Sequence, residues 1–282
     1  MKKIRKRDVQ GLLPKRSKSA HKGTSGHALI IAGSPGKVGA AVMAVQSAFR
    51  SGVGLVTLLT HPKSLKVIAP QVKEAFLESF PTQENNYQKY LKDKKVIAIG
   101  PGVGFSKEAK NLVKWTLKHA HVPVLMDADA LTIIAQKKRS LTTFGMTQVI
   151  LTPHPGEMAR LIRKTTAYVQ SHRLEVAQKF SKKYGVYLVL KGAGTIIATP
   201  SGKTYINSTG NPAMATAGMG DVLTGMITSF IAQSVNIEGA IILAVYLHGL
   251  LADQWVAKTK ATRGLMASDI IHALPHALED IL

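Results

Sequence analysis

The chain contains no cysteine. That excludes disulfide scaffolds, thiolate zinc centres and cysteine nucleophiles together. It also lacks any run approaching about 18 uninterrupted apolar residues, the length a membrane-spanning helix needs. The longest candidate, residues 240–247, is cut by His248 and Gly249, which predicts a buried core helix. The N-terminus is basic with no apolar stretch behind it, so no secretory signal is expected and a cytoplasmic enzyme is the default reading. No G-x-G-x-x-G follows the first apolar strand, against a Rossmann dinucleotide site. Gly33-Ser-Pro-Gly-Lys37 is too short for a P-loop and no Ser or Thr follows its lysine. The metal-like pair His119 and His121 flanks a predicted helix end, and Pro275 interrupts His272 and His276, so neither is read as a metal site.

Acidic residues are scarce too: 16 Asp and Glu stand against 37 Lys and Arg, for a net charge of +21. Residues 1–22 hold nine of the cations against Asp8 alone, leaving +13 on the other 260 residues. This N-terminal part reads as a basic tail before a single domain over residues 23–282. Its first ten residues are expected to lack apolar anchors and to be dispensable for catalysis. It carries no aromatic residue for base stacking. Elsewhere the cations are scattered, as at Lys92, Lys94, Lys95 and Lys137 to Arg139. The charge is therefore read as a field that attracts anionic metabolites, and nucleic acid is not expected as a partner.

What is present is enough for a sizeable core: 282 residues, 45% apolar, the length of one α/β domain. Short apolar runs at residues 27–32, 55–60, 96–99, 123–126, 149–151 and 186–190 read as buried strands. Amphipathic or small-residue stretches at 38–50 and 107–118 read as helices between them. Three more helices are expected at about 221–234, 238–257 and 267–273. Continuous apolar strands between helices predict an α/β fold with a mostly parallel central sheet and helices on both faces. Nearly every polar motif directly follows a strand, where ligands bind in open α/β sheets.

The most informative segment ends in Gly218-Met219-Gly220-Asp221 and runs into a predicted helix. A helix start offers unpaired N–H groups to an anion, and a carboxylate beside it is placed to take a proton from a substrate hydroxyl. The alternative is that Asp221 is only an N-cap. Lys191, Gly192, Ala193, Gly194 and Thr195 combine a cation, two flexible residues and a hydroxyl after a strand, which suits a nucleotide phosphate or ribose; a plain strand-ending turn is the alternative. In Thr152-Pro-His-Pro-Gly-Glu157 two prolines fix the backbone and aim His154 and Glu157. Asp127 and Asp129 suit a metal or ribose, or cap the next helix, the latter favoured for Asp129.

Together these segments resemble the ADP/ATP-dependent NAD(P)H-hydrate dehydratase family, within the ribokinase-like superfamily. The likeness runs from Leu12-Leu-Pro, HKG (from His21) and LIIAGSPGKVGAAVMA through RSGVGLVTL, AIGPGVG, DADAL, ILTPHPGEMARL, VLKGAGTII and TGNPAMATAGMGDVLTGMI to AVYLHG and GLMASDII, nearly the whole chain past residue 12. Met219 departs from it, standing where the family usually has Thr or Ser. The resemblance implies a stand-alone repair enzyme that returns the S form of NADHX or NADPHX to NADH or NADPH while consuming ADP, or ATP, with Mg2+. It implies that Asp221 is the base and contacts the hydrate, and that Lys191, Gly192, Ala193, Gly194, Thr195 and Gly220 hold the nucleotide. Ala40, Gly102, Gly104 and His154 are implied to contact the hydrate, and Glu157 to position magnesium through water. A homotetramer and a separate NAD(P)HX epimerase as functional partner are implied as well. The alternative within the superfamily is a small-molecule kinase of the hydroxyethylthiazole or hydroxymethylpyrimidine type.

Overall fold

The computed structural model describes residues 1–81, 87–136 and 148–281; Lys137 to Arg139 lie outside them. Its frame is a ten-stranded sheet. In chain order the strands are β1 (Lys2–Lys3), β2 (His27–Ile31), β3 (Leu55–Thr60), β4 (Phe76–Ser79), β5 (Val96–Ile99), β6 (Val124–Met126), β7 (Val149–Leu151), β8 (Tyr187–Leu190), β9 (Ile196–Ala198) and β10 (Thr204–Ile206). Across the sheet they run β1-β10-β9-β8-β7-β6-β5-β2-β3-β4. From β8 to β4 every neighbouring pair is parallel, and only β9 pairs antiparallel with both β8 and β10.

Alternation along the strands explains why both faces had to be apolar. Ala28, Ile30, Val56, Leu58 and Ala98 join one buried layer with α1 (Val38–Arg50), the short α2 (Leu65–Ile68), α8 (Met219–Ala232), α9 (Ile237–Thr259) and α10 (Ala267–Glu279). Leu29, Ile31, Ile97, Ile99 and Met126 join the other, with α3 (Lys107–His119), α4 (Ala128–Ala135), α5 (Pro155–Ile162), the short α6 (Thr166–Ser171) and α7 (Arg173–Tyr184). A parallel sheet covered on both sides needs such two-faced strands. By length and hydropathy α9 would span a membrane, but 67% of its most apolar window is buried inside the fold. It is a core helix.

The chain runs β2 to β3 to β4 in one direction, then returns to place β5 on the other side of β2. That reversal is a topological switch point, and it opens a crevice at the carboxyl ends of β2 and β5. There Gly33 N–H donates to Pro101 O at 3.0 Å and Ser34 N–H to Gly102 O at 2.6 Å.

Two expectations are corrected. The first ten residues do have apolar anchors: Ile4 is 1% exposed and Val9 0%, both in the core layer under α8 and α9. Lys2 and Lys3 pair in parallel with Tyr205 and Ile206, and Ile4 N–H donates to Ile206 O at 2.9 Å. The two apolar residues are spaced too widely among lysines and arginines to register as a pattern. The last helix was expected to stop at residue 273, yet it runs through Pro275 to Glu279. Its buried face continues past the proline with Ala277 and Leu278, and that burial outweighs the one lost hydrogen bond.

Candidate functional site

The start of α8 is built around Gly218, which adopts φ +89° as the residue capping the helix. That backbone angle favours glycine, and a Cβ there would also press on the Met43 side chain, 2.3 Å from its Sδ. Asp221 is therefore not the cap; it is the third residue of the helix, and the capping alternative is set aside. No side chain caps this helix. Its first-turn N–H groups keep the partial positive charge of an open helix start.

The half-buried Asp221 carboxyl is pushed up to about 7, mainly by burial and further by the charges of Asp127, Asp129 and Glu157, against the pull of Lys191. A carboxyl poised near neutrality exchanges a proton readily at working pH. Beside it, Lys191 Nζ donates to Asp127 Oδ1 at 2.7 Å, and Thr224 Oγ1 donates to Asp127 Oδ2 at 3.0 Å. Burial opposes the Lys191 charge, but Asp127, Glu157 and Asp221 outweigh it and hold its pKa above the ordinary value. Gly220 lies against this pair: a Cβ there would be 3.1 Å from Lys191 Nζ. Asp127 occupies the cap position of α4 without capping it, its carboxylate being committed to Lys191.

His154 and Glu157 form a closed unit at the start of α5. Gly156 N–H and Glu157 N–H donate to His154 Nδ1 at 3.0 and 3.4 Å, and His154 N–H donates to Glu157 Oε2 at 2.8 Å. This is a reciprocal capping box. Burial, with Lys191 and Arg160 nearby, lowers the His154 pKa, so its 3.4 Å approach through Nε2 to Glu157 Oε1 is between a neutral ring and a carboxyl group rather than an ion pair. Burial also raises the Glu157 pKa.

The remaining predicted residues meet at the switch point. A Cβ on Gly102 would sit 3.3 Å from that of Ala40, so the two backbones face each other across the crevice. Gly104 N–H donates to Asp129 Oδ2 at 3.0 Å, and Lys37 Nζ reaches the same oxygen at 2.8 Å. Asp129 thus ties the turns after β2 and β5 to α4 rather than capping that helix. Because Asp127 and Asp129 share one strand end, this cluster adjoins the one at Lys191.

A cavity of about 560 Å³ opens beside Lys191, lined by Lys191 to Thr195, by Gly220, and by Asn207, Asn211, Leu223, Val245 and His248. All six residues expected at a nucleotide line it. The sequence reading missed Arg173, whose guanidinium donates to Leu190 O, Lys191 O and Gly194 O at 3.1 to 3.3 Å and so shapes the turn after β8. It also missed Thr224, Asn207 and His248. Thr224 follows Asp221 by three residues, one helical turn, a spacing that would have found it. Arg173 sits in a charged helix with no local signal.

Among the described residues no three His, Asp or Glu side chains form a metal cage. The hard carboxylate oxygens near Lys191 instead suit an ion carried on phosphates and water.

The chain matches the family model described as NAD(P)H-hydrate dehydratase over residues 28–276. It is 40% identical to a bifunctional NAD(P)H-hydrate repair enzyme from Moorella thermoacetica, covering 95% of this chain and 52% of that protein. It thus spans about half the length of that relative and of several others. It is 36% identical to an ADP-dependent (S)-NAD(P)H-hydrate dehydratase from Bacillus subtilis, covering 95% of this chain and 94% of that one. The crystal structure of the ADP/ATP-dependent NAD(P)H-hydrate dehydratase from Bacillus subtilis, co-crystallised with ATP and Mg2+, superposes with a TM-score of 0.88 at 33% identity, covering 100% of this chain and 99% of that one.

Proposed function

Because the chain belongs to the NAD(P)H-hydrate dehydratase family, with a ribokinase-like fold, we propose that it converts the S form of NADHX or NADPHX back to NADH or NADPH, consuming ADP and releasing AMP and phosphate. The observation that carries this reading is the Asp221 carboxyl, pushed up to about 7 beside an uncapped helix start and the half-buried Lys191.

In this reading Asp221 takes the proton from the hydroxyl on the hydrated nicotinamide ring. The hydroxyl oxygen then attacks the terminal phosphorus of ADP, and AMP leaves. The α8 N–H groups and Lys191 hold the transferred phosphoryl group, whose charge is greatest as the bond forms. The ring carbon–oxygen bond then breaks and phosphate departs with its electron pair, the neighbouring ring carbon gives up a proton, and the ring double bond reforms. A kinase-like fold thereby performs a dehydration.

Lys191 to Thr195 and Gly220 are assigned to the nucleotide, and Ala40, Gly102, Gly104 and His154 to the hydrate. Magnesium, when bound, neutralises phosphate charge. Glu157 would hold it through water, with the nucleotide phosphates as its main ligands. An NAD(P)HX epimerase is the proposed functional partner, acting on the R form. Homotetrameric assembly and a cytoplasmic location complete the proposal.

The test is incubation with NADHX and ADP or ATP, following the return of reduced-nicotinamide absorbance. Recovery of absorbance with AMP and phosphate in equal amounts supports the reading. A stable phosphorylated product without recovery would identify a small-molecule kinase instead.

A further inference from the structure

His248 is 7% exposed, and its Nε2 has no hydrogen-bond partner among the described residues. A buried ring nitrogen left unpaired costs free energy, and native structures rarely carry one without a use for it. This ring lines the 560 Å³ cavity beside Lys191.

The wall that holds it is built with care. Val245, His248 and Gly249 fall at i, i+3 and i+4, one face of α9, and all three line the cavity. The segment 207–211 is laced along that face. Asn207 Nδ2 donates to Val245 O at 3.1 Å and Thr209 Oγ1 to Tyr246 O at 2.7 Å. Asp253 accepts from Gly210 N–H and Asn211 Nδ2 at 2.9 and 2.8 Å. A Cβ on Gly249 would fall 2.4 Å from Thr209 Oγ1, so the glycine is what lets the segment lie so close. Each polar group named in this wall is satisfied except the His248 ring.

We infer that His248 is a specificity-determining residue for the nucleotide, hydrogen-bonding an uncharged atom of its nucleoside part. The inference rests on the cavity being the nucleotide site. Phosphate already has its partners in Lys191 and the start of α8. The cavity wall around α9 offers apolar Val245, Leu223, Met214 and Pro212, which suit a nucleoside rather than a phosphate. Burial lowers the ring's pKa to about 4, so at neutral pH it presents one donor and one acceptor and no charge.

The experiment is calorimetric titration of ADP into wild type, His248→Leu and His248→Gln, with melting temperatures on the same samples. Wild type should bind ADP. His248→Leu should bind it about tenfold more weakly, the loss of one hydrogen bond. Its melting temperature should hold or rise, because an unsatisfied polar group has been removed. His248→Gln, which keeps a neutral donor and acceptor, should recover most of the affinity. Pyrophosphate, which has no nucleoside, should compete equally well in wild type and His248→Leu. Equal ADP affinity in wild type and His248→Leu would overturn the inference and leave the site reading standing. A matching loss for pyrophosphate would overturn the nucleoside assignment. Failure of wild type to bind ADP would overturn both.

Discussion

Two helices begin at the same edge of the sheet, and they are finished in opposite ways. At α5 the chain closes its own start: His154 accepts two backbone N–H groups, and Glu157 accepts the His154 N–H in return. At α8 the cap is a glycine, no side chain among the described residues makes a capping hydrogen bond, and the Asp221 carboxyl beside it is pushed up to about 7. A start closed by its own residues has its Gly156 and Glu157 N–H groups engaged and meets a ligand through its side chains alone. An open start beside a carboxyl with a raised pKa and a half-buried cation is one held ready for a ligand.

The contrast is broken most severely at Lys191. Lys191→Met would leave the Asp127 carboxylate, 2% exposed, with Thr224 as its one hydrogen-bond donor. Stability should fall by about 3 to 5 kcal/mol, the usual cost of stranding one partner of a buried pair. Adding Asp127→Leu should restore much of it, since a fully apolar replacement strands nothing. Denaturant titration of both variants checks this, and a loss under about 1 kcal/mol in the single variant would argue against a coupled pair.

A second effect is sharper in sign than in size. With a folded-state pKa near 7 and an ordinary value of 3.8, Asp221 binds a proton in the folded state that the unfolded chain has already released. Its contribution to stability is therefore present at low pH and lost as pH rises from about 4 to about 7. Asp221→Asn does not titrate. Its melting temperature should match wild type near pH 4, exceed it increasingly up to about pH 7 and keep a constant lead above that. A difference that does not change with pH would mean the carboxyl is not strained.

The smallest effect is at α5. His154→Ala removes a cap and should cost about 1 kcal/mol, while His154→Asn, a good cap, should cost much less. Thermal melts distinguish the two. If both variants also raise the KM for NADHX, the exposed side of the imidazole touches substrate as well.

Much of this was legible in the sequence where one physical requirement dominated. Strands β2, β3 and β5 announced themselves because both faces are buried and most positions are apolar, His27, Thr57 and Thr60 being the exceptions. The edge strand β4 did not, since Phe76 and Glu78 face outward and break the run. Strand β10 did not either, being only half-buried along its length and opening on Thr204. The convergence of the turns at Gly102, Asp127, His154 and Lys191 was readable from their positions at strand ends. The commitment of Asp127 to Lys191 was not, because the two are 64 residues apart and meet only through sheet order. Nor was the N-terminal segment readable, because Ile4 and Val9 are isolated among charges. A truncation at Gly11, once expected to be harmless, should now lower the melting temperature by losing both anchors and the β1 pairing. An unchanged melting temperature would restore the view of a dispensable tail.

The central claim is that the open start of α8 is where the chemistry happens. It is tested most directly by the turnover of NADHX with ADP in Asp221→Asn, measured on protein shown to be folded by its melting curve. The account predicts a loss of roughly 10²- to 10⁴-fold in turnover, the range for removing a general base, with ADP still bound. Near-wild-type turnover in the folded variant would contradict it.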